Sequence, residues 1–326
     1  MKLATPNRNA SSNNRPVWMR EVEGDSPQRR ALGVSLRSFA VTASLALTAC
    51  GHGVLNPRGP VGTAEKTILI DSLAIMLSIV IPTIVALVGI AWWFRASNNK
   101  ARYRPDWEFS GQIELVVWAI PCMVIILLGG VTWLGSYALD PAKPLASTKQ
   151  ALEIQVVSLD WKWLFIYPEQ GVAALNELVI PAATPLHFSL TSASVMNAFF
   201  IPQLGSMIYT MNGMVTSLNL QADEPGTFAG LSSHYSGEGF SDMHFETKAV
   251  TQDDFDHWIA ATKRDGVALD EPRYATLSRQ SIDDPVMLFG SVEPTLFHKI
   301  VMLGVPAGPG PEMAVDGISS APHAEH

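Results

Sequence analysis

The chain has 326 residues, 48% hydrophobic and 16% charged, with a formal net charge of −8. Beyond Asp140 acidic side chains outnumber basic ones more than two to one, which argues against nucleic acid as a partner. The two cysteines, Cys50 and Cys122, both precede Asp140, so no intramolecular disulfide staples the C-terminal half.

Residues 1–28 are polar, rich in Asn, Arg and Ser, and lack an apolar period. They are expected to be disordered, or to lie upstream of a true start at Met19 rather than Met1. Arg29, Arg30 and Arg37 then precede an apolar stretch from Phe39 to Leu47, closed by Leu47-Thr48-Ala49-Cys50-Gly51. A basic region, a short apolar region and small residues together predict a secretory signal over 1–49. Leu-Thr-Ala-Cys-Gly resembles the bacterial lipobox, which implies cleavage before Cys50 and acylation of its thiol. Residues 50–71 are expected to form a linker on the outer side.

Two apolar runs follow. Ser72–Phe94 has no charge between Asp71 and Arg95, and Leu115–Leu139 has none between Glu114 and Asp140. A helix of about 20 apolar residues crosses a bilayer, so 72–139 is predicted to be a transmembrane helical hairpin. Pro82 and Pro121 are compatible with this, since spanning helices tolerate proline. The intervening loop, 95–114, carries Arg95, Lys100, Arg102 and Arg104, whereas the outer flanks carry only Arg58, Lys66, Lys143 and Lys149. The positive-inside rule puts that loop in the cytoplasm and both mature ends in the periplasm of a bacterial inner membrane. Trp92, Trp93, Trp107, Trp118 and Trp133 are placed as interfacial anchors.

After Asp140-Pro141-Ala142-Lys143-Pro144 the period changes to two. Leu152, Ile154 and Val156 alternate with polar residues, as do Leu186, Phe188 and Leu190, and then Thr216, Leu218 and Leu220. Turn signals separate them at Pro181, Pro202, Asn212-Gly213 and Glu224-Pro225-Gly226. This predicts an antiparallel all-β sandwich or barrel over 150–250. Thr251-Gln252-Asp253-Asp254 has the form of a capping box, with Phe255, Trp258, Ile259 and Thr262 at helical spacing behind it. Further helices are expected over Tyr274–Arg279 and Pro294–Leu303, making a helical extension over 251–304. Residues 305–326, rich in Pro, Gly and Ala, are expected to be a disordered tail.

A lipobox, a two-helix hairpin and an outer β-domain together resemble subunit II of the haem–copper respiratory oxidases. Leu159-Asp160-Trp161-Lys162-Trp163-Leu164-Phe165 is similar to that family's aromatic strand. Val195-Met196-Asn197-Ala198-Phe199-Phe200-Ile201-Pro202-Gln203-Leu204-Gly205 is similar to the stretch that brings its first copper-ligand histidine, and Glu224-Pro225-Gly226-Thr227-Phe228 to the strand entering its copper loop. The resemblance covers about residues 65–255 and implies a cupredoxin-like fold.

The family's cytochrome c oxidases carry a loop C-x-E-x-C-x3-H-x2-M that holds two bridged coppers. Here Asn197 stands in the place of the first histidine, Tyr235 and Gly239 in those of the cysteines, and Gly237 in that of the glutamate. Phe240 and Met243 take the second histidine and methionine places if about three residues are deleted. Two bridging thiolates are indispensable to such a site, and the outer domain has no cysteine. No metal is therefore expected in this chain. His187, His234, His244 and His257 are scattered over strand, loop and helix and are not expected to gather around an ion.

Missing copper ligands, a lipobox and a C-terminal extension are closest to the quinol-oxidising branch, of which the cytochrome bo-type ubiquinol oxidases are typical. The resemblance implies a non-catalytic subunit of a ubiquinol-to-oxygen, proton-translocating complex, with haems and the remaining copper in subunit I. It also implies subunits I, III and IV as partners, together with membrane lipids. Glu114 opens the second helix where family members carry a glutamate near a proton path, making it the candidate proton-handling residue. Two other readings stand beside this one. One is an electron-transfer subunit of a cytochrome c oxidase, and the other a free membrane-anchored metal-binding lipoprotein.

Overall fold

The computed structural model describes residues 53–310, apart from Tyr103, Pro105 and Pro306. The signal segment, Met1, Met19, Cys50 and the tail from residue 311 lie outside the described residues. Helix α1 (Pro60–Trp93) starts with Gly59 as N-cap and proline at the first helical position, where a missing N–H costs nothing. Its 34 residues make a rod of about 50 Å. Helix α2 (Gly111–Ala138) has 28 residues and contains Pro121. Both expose large apolar side chains along the hairpin, Leu87 and Ile126 among them, as helices bathed in hydrocarbon do. At the C-terminal end of α1 the Arg95 guanidinium lies 4.7 Å above the Trp92 ring.

The linker expected to reach residue 71 is helical from Pro60. Contacts with the outer domain account for the extra turns. The Arg58 and Gly62 N–H groups donate to the carbonyls of Gln203 (2.7 Å) and Leu204 (3.0 Å). Val61 packs against the domain core, and the Ser206 hydroxyl donates to the Glu65 carboxylate.

The outer domain begins with β1 (Leu152–Leu159), β2 (Lys162–Tyr167), β3 (Val172–Leu175), β4 (Glu177–Pro181), β5 (Leu186–Ser192) and β6 (Asn197–Phe200). It continues with β7 (Ile208–Thr210), β8 (Thr216–Leu220), β9 (Gly226–Ser232) and β10 (His244–Val250). The extension supplies α3 (Gln252–Asp265), β11 (Val267–Leu269), α4 (Glu271–Leu277), β12 (Met287–Val292) and α5 (Leu296–Val301). One sheet runs β11-β12-β3-β2-β1-β5-β8 and the other β4-β10-β9-β6-β7. The three alternating segments become neighbours in register: Ile154 pairs with Phe188 and Phe188 with Leu218. Their apolar faces meet Phe199 and Phe245 of the second sheet, stacked 5.2 Å apart, in one buried core.

Three features differ from the sequence expectation. The sheets are mixed rather than antiparallel, since β1–β5, β4–β10 and β11–β12 pair in parallel. The extension is not only helical, because β11 and β12 continue the larger sheet beyond β3. The first of its later helices, Glu271–Leu277, begins and ends earlier than expected, and the second, Leu296–Val301, is shorter. They cover the outer face of β1 and β2 in a second core in which Leu164 and Ile166 meet Tyr274, Leu296 and Ile300. This double coverage buries every residue of β2, as happens to strands with both faces covered. The tail begins docked: Val305 is buried, and the Gly308 N–H donates to the Ala193 carbonyl (3.0 Å).

Thr251 forms the N-cap of α3. The Thr251 hydroxyl accepts from the Asp254 N–H (3.2 Å) and donates to its carboxylate (2.7 Å), and Phe255 and Ile259 seal the end of the first core.

Candidate functional site

The residues matched to the copper loop gather at one end of the sandwich. They come from the turn between β1 and β2, the start of β6, and the segment joining β9 to β10. The β1–β2 turn has only two residues, Asp160 and Trp161. Trp161 adopts φ 64, a left-handed conformation that a bulky residue rarely takes and that costs of order 1–3 kcal/mol. Its surroundings hold it there. The indole Nε1–H donates to the Ser236 carbonyl (3.1 Å), and the ring lies against Gly239. A Cβ at residue 239 would meet three indole carbons, each within 2.7 Å. The side chain is 93% buried, being 7% exposed.

The other positions are occupied by groups engaged within the protein. Asn197 is buried; its Nδ2 donates to the Val195 carbonyl (3.3 Å) and its Oδ1 accepts from the Ser232 hydroxyl (3.3 Å). Met243 is buried, with its sulfur 3.9 Å from the Ser236 hydroxyl. Gly237, at φ 114, caps a short 3-10 helix over Glu238–Asp242. Tyr235 points outward, 72% exposed, its ring edge-on to Phe240 at 5.5 Å. The Asp160 carboxylate, also buried, accepts from the Ser194 hydroxyl and from the Gly310 N–H (3.0 Å). Asp160 also helps burial keep the buried Tyr274 phenol protonated, raising its pKa.

These donors do not suit a dinuclear copper centre. The set offers amide, phenol, phenyl and one thioether, with neither thiolate nor imidazole. The indole of Trp161 fills the space that a side chain at residue 239 would need. The structure brings together all the sequence-predicted positions of the outer domain, but the plug formed by Trp161 was not anticipated. The sequence does carry a signal for it, in an aromatic turn residue facing a loop with glycine at both 237 and 239.

The histidines lie apart. His187 Nδ1 is 2.9 Å from Asn219 Oδ1 and its Nε2 3.9 Å from Glu153. His234 meets Tyr209 ring to ring, and His244 and His257 are exposed. Among the described residues no three His, Cys, Asp or Glu side chains are grouped to hold a metal ion. Glu114 sits far from this end, exposed in the first turn of α2, where the helix dipole favours a carboxylate. Among the described residues no ion pair reaches it.

A cupredoxin-like sandwich carried on two helices long and apolar enough to span a membrane defines the oxidase subunit II class. Accordingly, residues 152–250 match the family model described as the cytochrome c oxidase subunit II periplasmic domain, and 263–306 match the COX aromatic rich motif. Among curated proteins, the cytochrome bo(3) ubiquinol oxidase subunit 2 of Pseudomonas aeruginosa is 47% identical over 82% of this chain and 81% of its own length. The ubiquinol oxidase subunit 2 of Acetobacter aceti is 48% identical over 81% of this chain and 87% of its own. A further relative, the cytochrome bo(3) ubiquinol oxidase subunit 2 of Buchnera aphidicola, is 40% identical over 83% and 96%. The chain belongs to the ubiquinol oxidase subunit 2 family.

Proposed function

We propose that this chain is a copper-free structural subunit of a proton-translocating ubiquinol oxidase, packing its hairpin against a haem-bearing subunit I and capping it from the periplasm. Subunits III and IV complete the assembly. The observation that carries this reading is the indole of Trp161 seated on Gly239, at a site whose matched positions, 197, 235, 239, 240 and 243, offer neither thiolate nor imidazole. An oxidase fed by a soluble electron donor needs a redox relay in its outer domain. Ubiquinol resides in the bilayer and delivers electrons directly to a membrane haem, so the outer domain is free to serve as scaffold. Haems and the remaining copper then belong to subunit I.

The hairpin spans the inner membrane with the loop after α1 on the cytoplasmic side, a reading supported by the Arg and Lys residues concentrated there. Cys50 carries lipid as the mature N-terminus and adds a second, weaker anchor beside the helices. Glu114 collects protons at the cytoplasmic end of α2, where a carboxylate lies within reach of water.

Oxygen uptake by the purified complex tests the substrate. Turnover is expected with ubiquinol and none with ferrocytochrome c; turnover with ferrocytochrome c would overturn the proposal in favour of an electron-relay subunit.

A further inference from the structure

Between Asp71 and Asp106 the chain has no acidic residue, yet Arg95, Lys100, Arg102 and Arg104 follow directly after α1. All four are exposed. Among the described residues no carboxylate lies within ion-pair distance of any of them. The acids of the same loop, Asp106 and Glu108, fall on the α2 side. Like charges so close in sequence repel one another and attract an anion from outside the chain.

The end of α1 holds the first cation in place. The Arg95 guanidinium over the Trp92 ring also donates through Nε to the Ser97 hydroxyl (3.0 Å) and through Nη1 to the Trp92 carbonyl (3.1 Å). The Asn98 Nδ2 donates to the Trp93 carbonyl (2.6 Å), and its Oδ1 accepts from the Lys100 N–H (3.1 Å). These bonds satisfy carbonyls that the last turn of α1 leaves open, and they tie Lys100 to the same helix end. Exposed rings bracket the cations in sequence. Trp92, Trp93 and Phe94 come before them, Trp107 and Phe109 after, each at least 47% exposed.

The anion could come from solvent, from a carboxylate of another subunit, or from the phosphates of the bilayer. The rings select the bilayer. Tryptophan favours the level of the lipid headgroups, so aromatic residues on both sides place the cations at the depth of the phosphates. Clusters of Lys and Arg immediately cytoplasmic of a spanning helix bind anionic headgroups. Residues 95–104 hold no carboxylate to meet the ammonium of a zwitterionic lipid. The chemistry therefore fits a phosphodiester headgroup without an ammonium, as in phosphatidylglycerol and cardiolipin.

We propose that residues 95–104 form a headgroup site for anionic phospholipid of the cytoplasmic leaflet, with Arg95 as its fixed cation and Lys100, Arg102 and Arg104 around it. The inference rests on the membrane topology given above and adds the lipid class that this loop recognises.

The test is photo-crosslinking of the intact complex in nanodiscs holding equal amounts of phosphatidylglycerol and phosphatidylcholine. A benzophenone side chain is placed at Asn99 in the loop or, as control, at Tyr137 near the other end of the hairpin. Mass spectrometry of the lipid adducts should show the ratio of phosphatidylglycerol to phosphatidylcholine at least about 5-fold higher at Asn99 than at Tyr137, the gain expected from a single cation at the surface. Replacing all four cations by Gln should abolish that enrichment, whereas Arg95→Lys, Arg102→Lys and Arg104→Lys together should keep it. Loss of the cations can also invert the hairpin, so the lysine variant and the comparison of positions in the native sequence carry the test by themselves. Equal ratios at the two positions, enrichment that survives the glutamine variant, or loss of it in the lysine variant would overturn the proposal. Adducts only with another subunit, or none at all, would overturn it too. Labelling of Ser97→Cys from the periplasmic side by a membrane-impermeant maleimide would instead refute the topology, so the two failures are distinguishable.

Discussion

Gly239→Ala isolates the contact on which the functional reading depends. The backbone of Gly239 is not in the left-handed region, so alanine meets no conformational penalty there. In the unfolded chain alanine would even favour folding by about 0.4–1 kcal/mol through lost entropy. The cost arises from the new Cβ against the Trp161 ring. That ring cannot swing aside freely, because its N–H is fixed on the Ser236 carbonyl. Overpacking a filled site costs about 1–3 kcal/mol, so Gly239→Ala should lower the Tm of the detergent-solubilised chain by about 2–8 °C. Removing the ring removes the cause. On a Trp161→Ala background, itself destabilised by about 3–5 kcal/mol, Gly239→Ala should cost nothing or stabilise slightly. Near-UV circular dichroism melts of the four proteins complete the cycle. An equal Tm loss from Gly239→Ala in both backgrounds would refute the claim that Trp161 occupies the loop.

Asp284→Ala should destabilise the chain by about 3–5 kcal/mol, because it strips the carboxylate from the buried Lys162 ammonium, 3.0 Å away. Limited proteolysis after Arg279 should speed up in step, and an unchanged digestion rate would show that the pair does not hold the extension. Burial raises the Tyr167 pKa, and its hydroxyl bonds both the carbonyl and the N–H of Val179. A pKa raised by folding gives stability that is complete below the unfolded value near 10 and lost as pH rises above it. Melts between pH 8 and pH 11 should therefore fall less steeply for Tyr167→Phe than for wild type, and parallel curves would contradict this. Glu114→Ala and Glu114→Gln should slow ubiquinol-driven oxygen uptake several-fold at matched haem, with Glu114→Asp less affected because a titrating carboxylate remains. Wild-type rates for all three would leave Glu114 an ordinary interfacial charge. The mature N-terminal peptide should begin at Cys50 and carry a diacylglycerol mass, and an unmodified peptide spanning Ala49-Cys50 would refute lipidation.

Local period carried most of the fold. Two long runs without charge gave both helices of the hairpin, and alternation at Leu152, Leu186 and Thr216 marked β1, β5 and β8, which became adjacent strands. The features that escaped depend on contacts far apart in sequence. Residues 60–71 look like a polar linker until Gly62, Val61 and Glu65 meet residues 203–206. Strand β12 alternates too weakly to announce itself, and pairing with β3 and β11 makes Met287–Val292 a strand. At the site, the replaced ligands at 197, 235 and 239 were legible as residue types. The plug by Trp161 was not, because it depends on a left-handed turn residue reaching across to another loop.

The most direct test is the copper content and visible spectrum of this chain after separation from the complex and reconstitution with excess Cu²⁺ and reductant. No copper should be retained through gel filtration, and no absorption should appear in the visible range. Two coppers per chain with a purple chromophore would contradict it and return the chain to the electron-relay class.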